Sequence, residues 1–331
     1  MTNIKKLGDS QIEIECKVPA EDFDRFFKLA LKDFKEKVEL PGFRKGAVPE
    51  RMVLEKVGDA LVLESAAELA IKDLWPRLLR EEKIEAIGRP EFSITKLAKG
   101  NSLGLKIKTT VLSPIELADY KKIAKEANSA KTDVVDVSDA EIAETLEMLR
   151  KNNPAYFKEG ARLDSSARQA DEEKMKDAIR QNLEFEKKRK AKDTHRMELL
   201  DKIVSASKIT VPGILMLSEL EKMEFELKNS LKDMGLKWED YLEHIKKTEE
   251  ELRMGWKDDA LKRVKFGLVL REIASREKLI PQEKDLDAQV DKILLEVGEE
   301  DRKKASRAGL KEHIFGRLQN EMVLSLLEGE K

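Results

Sequence analysis

The chain has 331 residues, enough for two or three domains. Charged residues make up 39% and aromatics only 5%, while 40% hydrophobic residues still permit a core. That balance excludes a disordered chain and suits long, solvent-bathed helices better than an aromatic-rich globule. Lys and Arg total 64 against 66 Asp and Glu, a net charge of −2. This excludes a globally basic nucleic-acid binder of the DNA-coating kind, so any RNA contact must be local.

In chain order, Ile12, Ile14, Cys16 and Val18 alternate with polar residues and predict a strand. Phe23, Phe27, Ala30, Leu31 and Phe34 then recur at helical spacing, an apolar stripe suited to lie on a sheet. Pro41 and Gly42 end that helix. Phe43, Arg44 and Lys45 follow, Gly46 lets the backbone turn back, and Pro49 can open the next helix at its first position. A short helix from Pro49 to Val57 is interrupted by Gly58, and a longer one runs from about Asp59 to Glu82 with Leu61, Leu69, Leu74 and Leu78 among its apolar positions. Gly88 and Pro90 mark a turn. Phe92–Leu97 and Leu103–Val111 then read as a hairpin with one wet face.

Residues 113–137 show no clear period and read as an extended connector. Ser138 and Glu141 form a capping box, opening a helix with Ile142, Leu146 and Leu149 on its apolar face. A helix from about Asp171 to Ser205 has an almost wholly charged middle, Glu186 to Arg196, which cannot be buried on all sides. After Val211-Pro212, apolar residues from Met216 to Met234 recur every three or four positions until Gly235. Further helices carry Trp238 to Ile245, Leu252 to about Lys278, Leu286 to Leu294, and Leu310 to Leu326. The fold class expected is an α+β N-terminal domain, an antiparallel sheet with helices over 1–112, followed by an elongated, mostly helical C-terminal domain over 138–331 with arm-like helices.

Cys16 is the only cysteine, so no intrachain disulfide can form, which fits a reducing compartment. Met1 to Asp9 lacks the apolar stretch of a secretory signal, and no run approaches 18 apolar residues, so a cytoplasmic protein is expected. No Gly-x-x-x-x-Gly-Lys-Ser/Thr or Gly-x-Gly-x-x-Gly motif is present, and His195, His244 and His313 are far apart, at spacings that nominate no metal site. No cofactor and no catalytic residue is expected. The histidines read as surface or cap residues.

The loop around Phe43 carries two cations and an aromatic between glycines, with no acid from Pro41 to Pro49. Taken alone it could equally be an ordinary solvated connection. Gly42-Phe43-Arg44-Lys45-Gly46, with Val48-Pro49, resembles the ribosome-docking signature of trigger factor, a bacterial chaperone family. The resemblance implies an ATP-independent chaperone that docks on the large ribosomal subunit, on protein and rRNA near the tunnel exit, and holds nascent or unfolded polypeptides. It implies no membrane or DNA partner, and weak homodimers when free. Helical arms of the family form a client cradle. Met216, Met223, Met234 and Met254 are candidates for such a surface, since methionine repacks around different partners. Core packing is the plainer reading of each. Most family members insert an FKBP-type prolyl isomerase domain, but only Asn153 to Ala170 lie at that point here, so that domain is expected to be absent and the chain not to be an enzyme. A free cytosolic holdase, a prolyl isomerase with an unrecognised site and a client-free helical scaffold remain as alternatives.

Overall fold

The structure is a computed structural model that describes residues 2–41, 43, 44, 46–129, 136–152, 165–296 and 306–329. The chain divides into two compact units, each discontinuous in sequence: Met1–Pro114 with Ile209–Lys265, and Ile115–Lys208 with Phe266–Lys331.

The first unit holds an antiparallel sheet of β1 (Asn3–Lys6), β2 (Gln11–Val18), β3 (Ala86–Lys96) and β4 (Leu103–Val111), ordered β1-β2-β4-β3. Ile14 faces Ile107, Cys16 faces Leu105 and Val18 faces Leu103 across β2 and β4, and all six are buried. The alternation that predicts a half-buried strand therefore lays one apolar face on the core. On the wet face, Lys106 Nζ reaches Glu13 at 3.1 Å and Glu15 at 3.3 Å. The helices α1 (Ala20–Lys37), α2 (Glu50–Val57) and α3 (Asp59–Glu81) cover the buried face. They contribute Phe23, Phe26, Phe27, Val53, Val62, Ala66 and Ala70 to one continuous core.

Three expectations change here. β1 was not foreseen; its four residues are all exposed and carry no alternation. β3 begins six residues before the expected hairpin strand, and Gly88 and Pro90 lie within it, at a register shift between Ile87 and Glu91, rather than in a turn. Gly88 has φ +76°, in the left-handed region that favours glycine, and Ile214 Cδ1 lies 2.5 Å from where a Cβ would sit. Leu61 is exposed, outside the core stripe.

The same unit also contains α7 (Gly213–Asp233), α8 (Trp238–Ile245) and α9 (Glu249–Gly255). Leu220 and Met223 of α7 form a small buried cluster with Ala260, which lies beyond α9, and Met216 and Trp256 pack against it. A second capping box, Thr248 with Glu251, starts α9.

The second unit contains α4 (Tyr120–Ser129), α5 (Asp139–Asn152), α6 (Ser165–Ala206), α11 (Glu283–Glu296) and α12 (Arg307–Glu328), and α10 (Lys257–Arg276) runs from the first unit into it. The connector reading of 113–137 is corrected by α4, whose Tyr120, Ala124 and Ala127 are buried at helical spacing; small alanines give a weak apolar signal among many charges. The capping box at Ser138 is present: Ser138 N donates to Glu141 Oε2 at 2.9 Å and Glu141 N to Ser138 Oγ at 3.4 Å. The helix α6 starts earlier than Asp171 and is 42 residues long, about 60 Å. Ile142, Leu146 and Ile179 join α5 to α6, while Leu286, Val290 and Ile314 join α11 to α12.

Candidate functional site

The loop between α1 and α2 is built from its two feet. Helix α1 stops where Val38 turns extended, its N–H still bonded to Phe34 O. Val38 and Leu40 pack against the sheet core. At the other foot Val48 is completely buried, and Pro49 caps α2 in an extended conformation, one position before the helix rather than inside it. Two backbone bonds span the interior, Phe43 N to Leu40 O at 3.1 Å and Ala47 N to Arg44 O at 2.9 Å. Lys56 Nζ also donates to Glu39 O at 3.2 Å. Gly46 adopts φ +80°, in the left-handed region that a side chain disfavours.

Between these feet Phe43 is 40% exposed, unusual for a phenylalanine beside a full core. Arg44 is exposed, and its guanidinium makes no ion pair or hydrogen bond among the described residues. Gly42 and Lys45 lie outside the described residues. An apolar ring and an uncommitted guanidinium thus project from a short, doubly anchored loop. The ring can fill an apolar niche, and the planar guanidinium can pair with carboxylate or phosphate oxygens.

The four methionines divide. Met223 is buried and Met216 packs beside it, so both belong to the α7 core. Met234 and Met254 are each 64% exposed. Sequence reasoning missed Leu217, Phe225 and Leu236, which are more than half exposed on or beside α7. Leu217 and Phe225 are eight positions apart, on one helical face opposite to Met223, and that spacing was the available signal. The buried Glu224 carboxylate pairs with Lys228 and Arg253, tying α7 to α9. Burial pushes that carboxyl up, but Lys228 and Arg253 outweigh burial and hold it below the usual carboxylate range. Lys228 also lies 4.7 Å from the centre of the Trp238 ring.

The histidines do not converge. His195 is half-buried and its ring bonds Asn128 Oδ1 at 2.7 Å, an internal contact rather than the surface position expected. Among the described residues, no group of three or more His, Cys, Asp or Glu is placed to hold a metal ion. No helix among them is long and apolar enough to cross a membrane.

The family described as "Bacterial trigger factor protein (TF)" matches residues 1–149, and its C-terminal counterpart, "Bacterial trigger factor protein (TF) C-terminus", matches residues 173–324. The chain belongs to the trigger factor family. Trigger factor of Halalkalibacterium halodurans is 23% identical, covering 86% of this chain and 87% of the relative. That of Staphylococcus carnosus is 24% identical over 87% of this chain and 86% of the relative. A solved structure from work on promiscuous substrate recognition in folding and assembly activities of the trigger factor chaperone matches with a TM-score of 0.53 at 16% identity, covering 99% of each chain. That likeness is one of fold: an antiparallel sheet with helices, followed by a mostly helical part. The two trigger factor matches leave only residues 150–172 between them, too short for an FKBP-type sheet domain. The family places this chain among chaperones.

Proposed function

We propose that this trigger factor docks on the large ribosomal subunit near the tunnel exit through Gly42, Phe43, Arg44, Lys45 and Gly46, and holds nascent or unfolded polypeptides without ATP. The observation that carries this reading is the exposed Phe43-Arg44 pair on a loop whose feet are anchored in a full core. A loop whose two feet are fixed loses less conformational entropy on binding than a free segment does. Phe43 fills an apolar niche, while Arg44 and Lys45 pair with acidic protein groups or rRNA phosphates. Clients rest on exposed apolar side chains, Met234 and Met254 together with Leu217, Phe225 and Leu236. Weak contacts spread over an open surface release a client without a nucleotide cycle. The protein works in the cytoplasm, and it has no prolyl isomerase activity, consistent with the short interval at 150–172. Weak self-association of ribosome-free copies belongs to the same reading.

Replacing Phe43, Arg44 and Lys45 together by alanine is expected to abolish co-sedimentation with ribosomes while the circular dichroism spectrum stays unchanged. A triple variant that still pellets with ribosomes overturns the docking assignment. A wild type that never pellets points instead to a free cytosolic holdase.

A further inference from the structure

Helix α2, which follows the loop, has only eight residues, and Val53 is its buried one. Leu54 and Val57 reach the same core in part. A helix this short does not hold itself in place and depends on what it is tied to. Lys56 stands three positions after Val53, on the same side of α2. Its ammonium crosses to the other side of the loop and donates to the backbone carbonyl of Glu39 at 3.2 Å, 17 residues back in the chain. Glu39 lies just past the end of α1, between Val38 and Leu40, whose side chains pack on the core. The acceptor therefore sits on a fixed stretch of chain. The bonds inside the loop differ in kind. Phe43 N reaches Leu40 O and Ala47 N reaches Arg44 O, each three residues back. Each shapes one turn, and neither sets the loop's entry against its exit.

The chemistry suits a strap. The end of α1 carries the negative pole of its helix dipole, which favours a cation nearby, and a hydrogen bond with one charged partner is stronger than one between neutral groups. We propose that Lys56 is a positioning residue for docking: it straps the loop's entry to α2 and so holds Phe43 and Arg44 in one arrangement before any partner arrives. The assignment rests on the docking reading above and adds a residue outside the Gly42–Gly46 stretch. A strap acts through population. Without it, fewer free copies carry the competent loop, and the apparent affinity falls by that fraction, which shows as slower association. A residue that touched the ribosome would instead speed dissociation when removed. One that only steered encounter by its charge would lose its effect at high salt.

Binding kinetics of the full chain on purified ribosomes, at low and high salt, test this. Lys56→Met keeps the length of the side chain and removes the donor, whereas Lys56→Arg keeps a cationic donor. Lys56→Met is expected to associate about fivefold more slowly, the loss of one exposed hydrogen bond, with the same gap at both salt concentrations. Its dissociation, and both rates of Lys56→Arg, are expected to stay within about twofold of wild type. Without ribosomes, amide exchange at Phe43 and Ala47 is expected to be faster in Lys56→Met and not in Lys56→Arg. Lys56 is exposed, so the circular dichroism spectrum serves as the folding control. A Lys56→Met variant that binds like wild type, that loses binding only through faster dissociation, or that recovers at high salt overturns the positioning role while leaving docking intact. Unchanged exchange at Phe43 and Ala47 does the same. A wild type that fails to bind ribosomes, or full binding by the variant with alanine at Phe43, Arg44 and Lys45, overturns docking and strap together.

Discussion

The sheet that supports the loop between α1 and α2 and the helices outside it are stabilised in different ways. Around the sheet, β2, β4 and α1–α3 share one continuous core in which Ile14, Val48, Val53, Leu103 and Ile107 are fully buried. The helices outside the sheet pack through separate clusters, among them Leu220–Met223–Ala260, Ile142–Leu146–Ile179 and Leu286–Val290–Ile314, and bury further residues such as Leu199, Ile203, Val269, Ile273 and Val323. They add charged ties such as Glu224 with Arg253 and Arg196 with Glu328. The difference teaches where binding can reside. A deep core can hold one exposed phenylalanine still. The separate helical clusters leave single apolar side chains exposed, as Leu217, Phe225 and Phe185 are.

Substitutions can break this contrast in order of expected effect. Ile14→Ala removes a fully buried side chain and should cost about 2–5 kcal/mol of the sheet segment's stability, read by chemical denaturation. Glu224→Ala leaves Arg253 and Lys228 without their shared carboxylate. Both cations are more than a third exposed, so water screens the loss, and roughly 1–2 kcal/mol is expected, again by denaturation. An effect on the scale of Ile14→Ala would mean that this helical segment depends on buried charge more than on its apolar cluster. Val48→Ala should cost about 1 kcal/mol and also loosen the loop, seen as faster amide exchange at Ala47.

Acid sharpens the comparison further. Glu141 is held at about 2 by Lys187 first and then by the backbone N–H and hydroxyl of Ser138. This folded value lies below the ordinary 4.5, so its contribution is complete above 4.5 and is lost as pH falls through about 2. Amide exchange at Ile142 and Leu146 should accelerate across that window while Ile14 and Leu105 stay protected. Equal acceleration at all four sites would contradict a local origin. The smallest effect expected is at the loop: alanine at Phe43 and Arg44 should change stability by no more than about 0.5 kcal/mol, since both side chains are exposed.

Much of this was legible in the sequence because period and chemistry agreed. Alternation at Ile12–Val18, the phenylalanine stripe of α1 and the Ser138–Glu141 capping box each became the expected element. Misses had physical causes. The strand β1 has no buried face to leave a pattern, and β3 continues through Gly88 and Pro90 because a bulge and an edge position tolerate both. The helix α4 buries mainly alanines. For the methionines, spacing alone did not distinguish Met223 in a core from Met234 and Met254 at the surface, because exposure depends on which helix lies opposite. Pairings distant in sequence, such as Arg196 with Glu328, leave no local mark.

The central claim is that docking and holding are separate properties of separate surfaces. Suppression of aggregation of an unfolded protein, measured without ribosomes, tests it most directly in the variant with alanine at Phe43, Arg44 and Lys45. The account predicts suppression equal to wild type. Loss of suppression in that variant would contradict it.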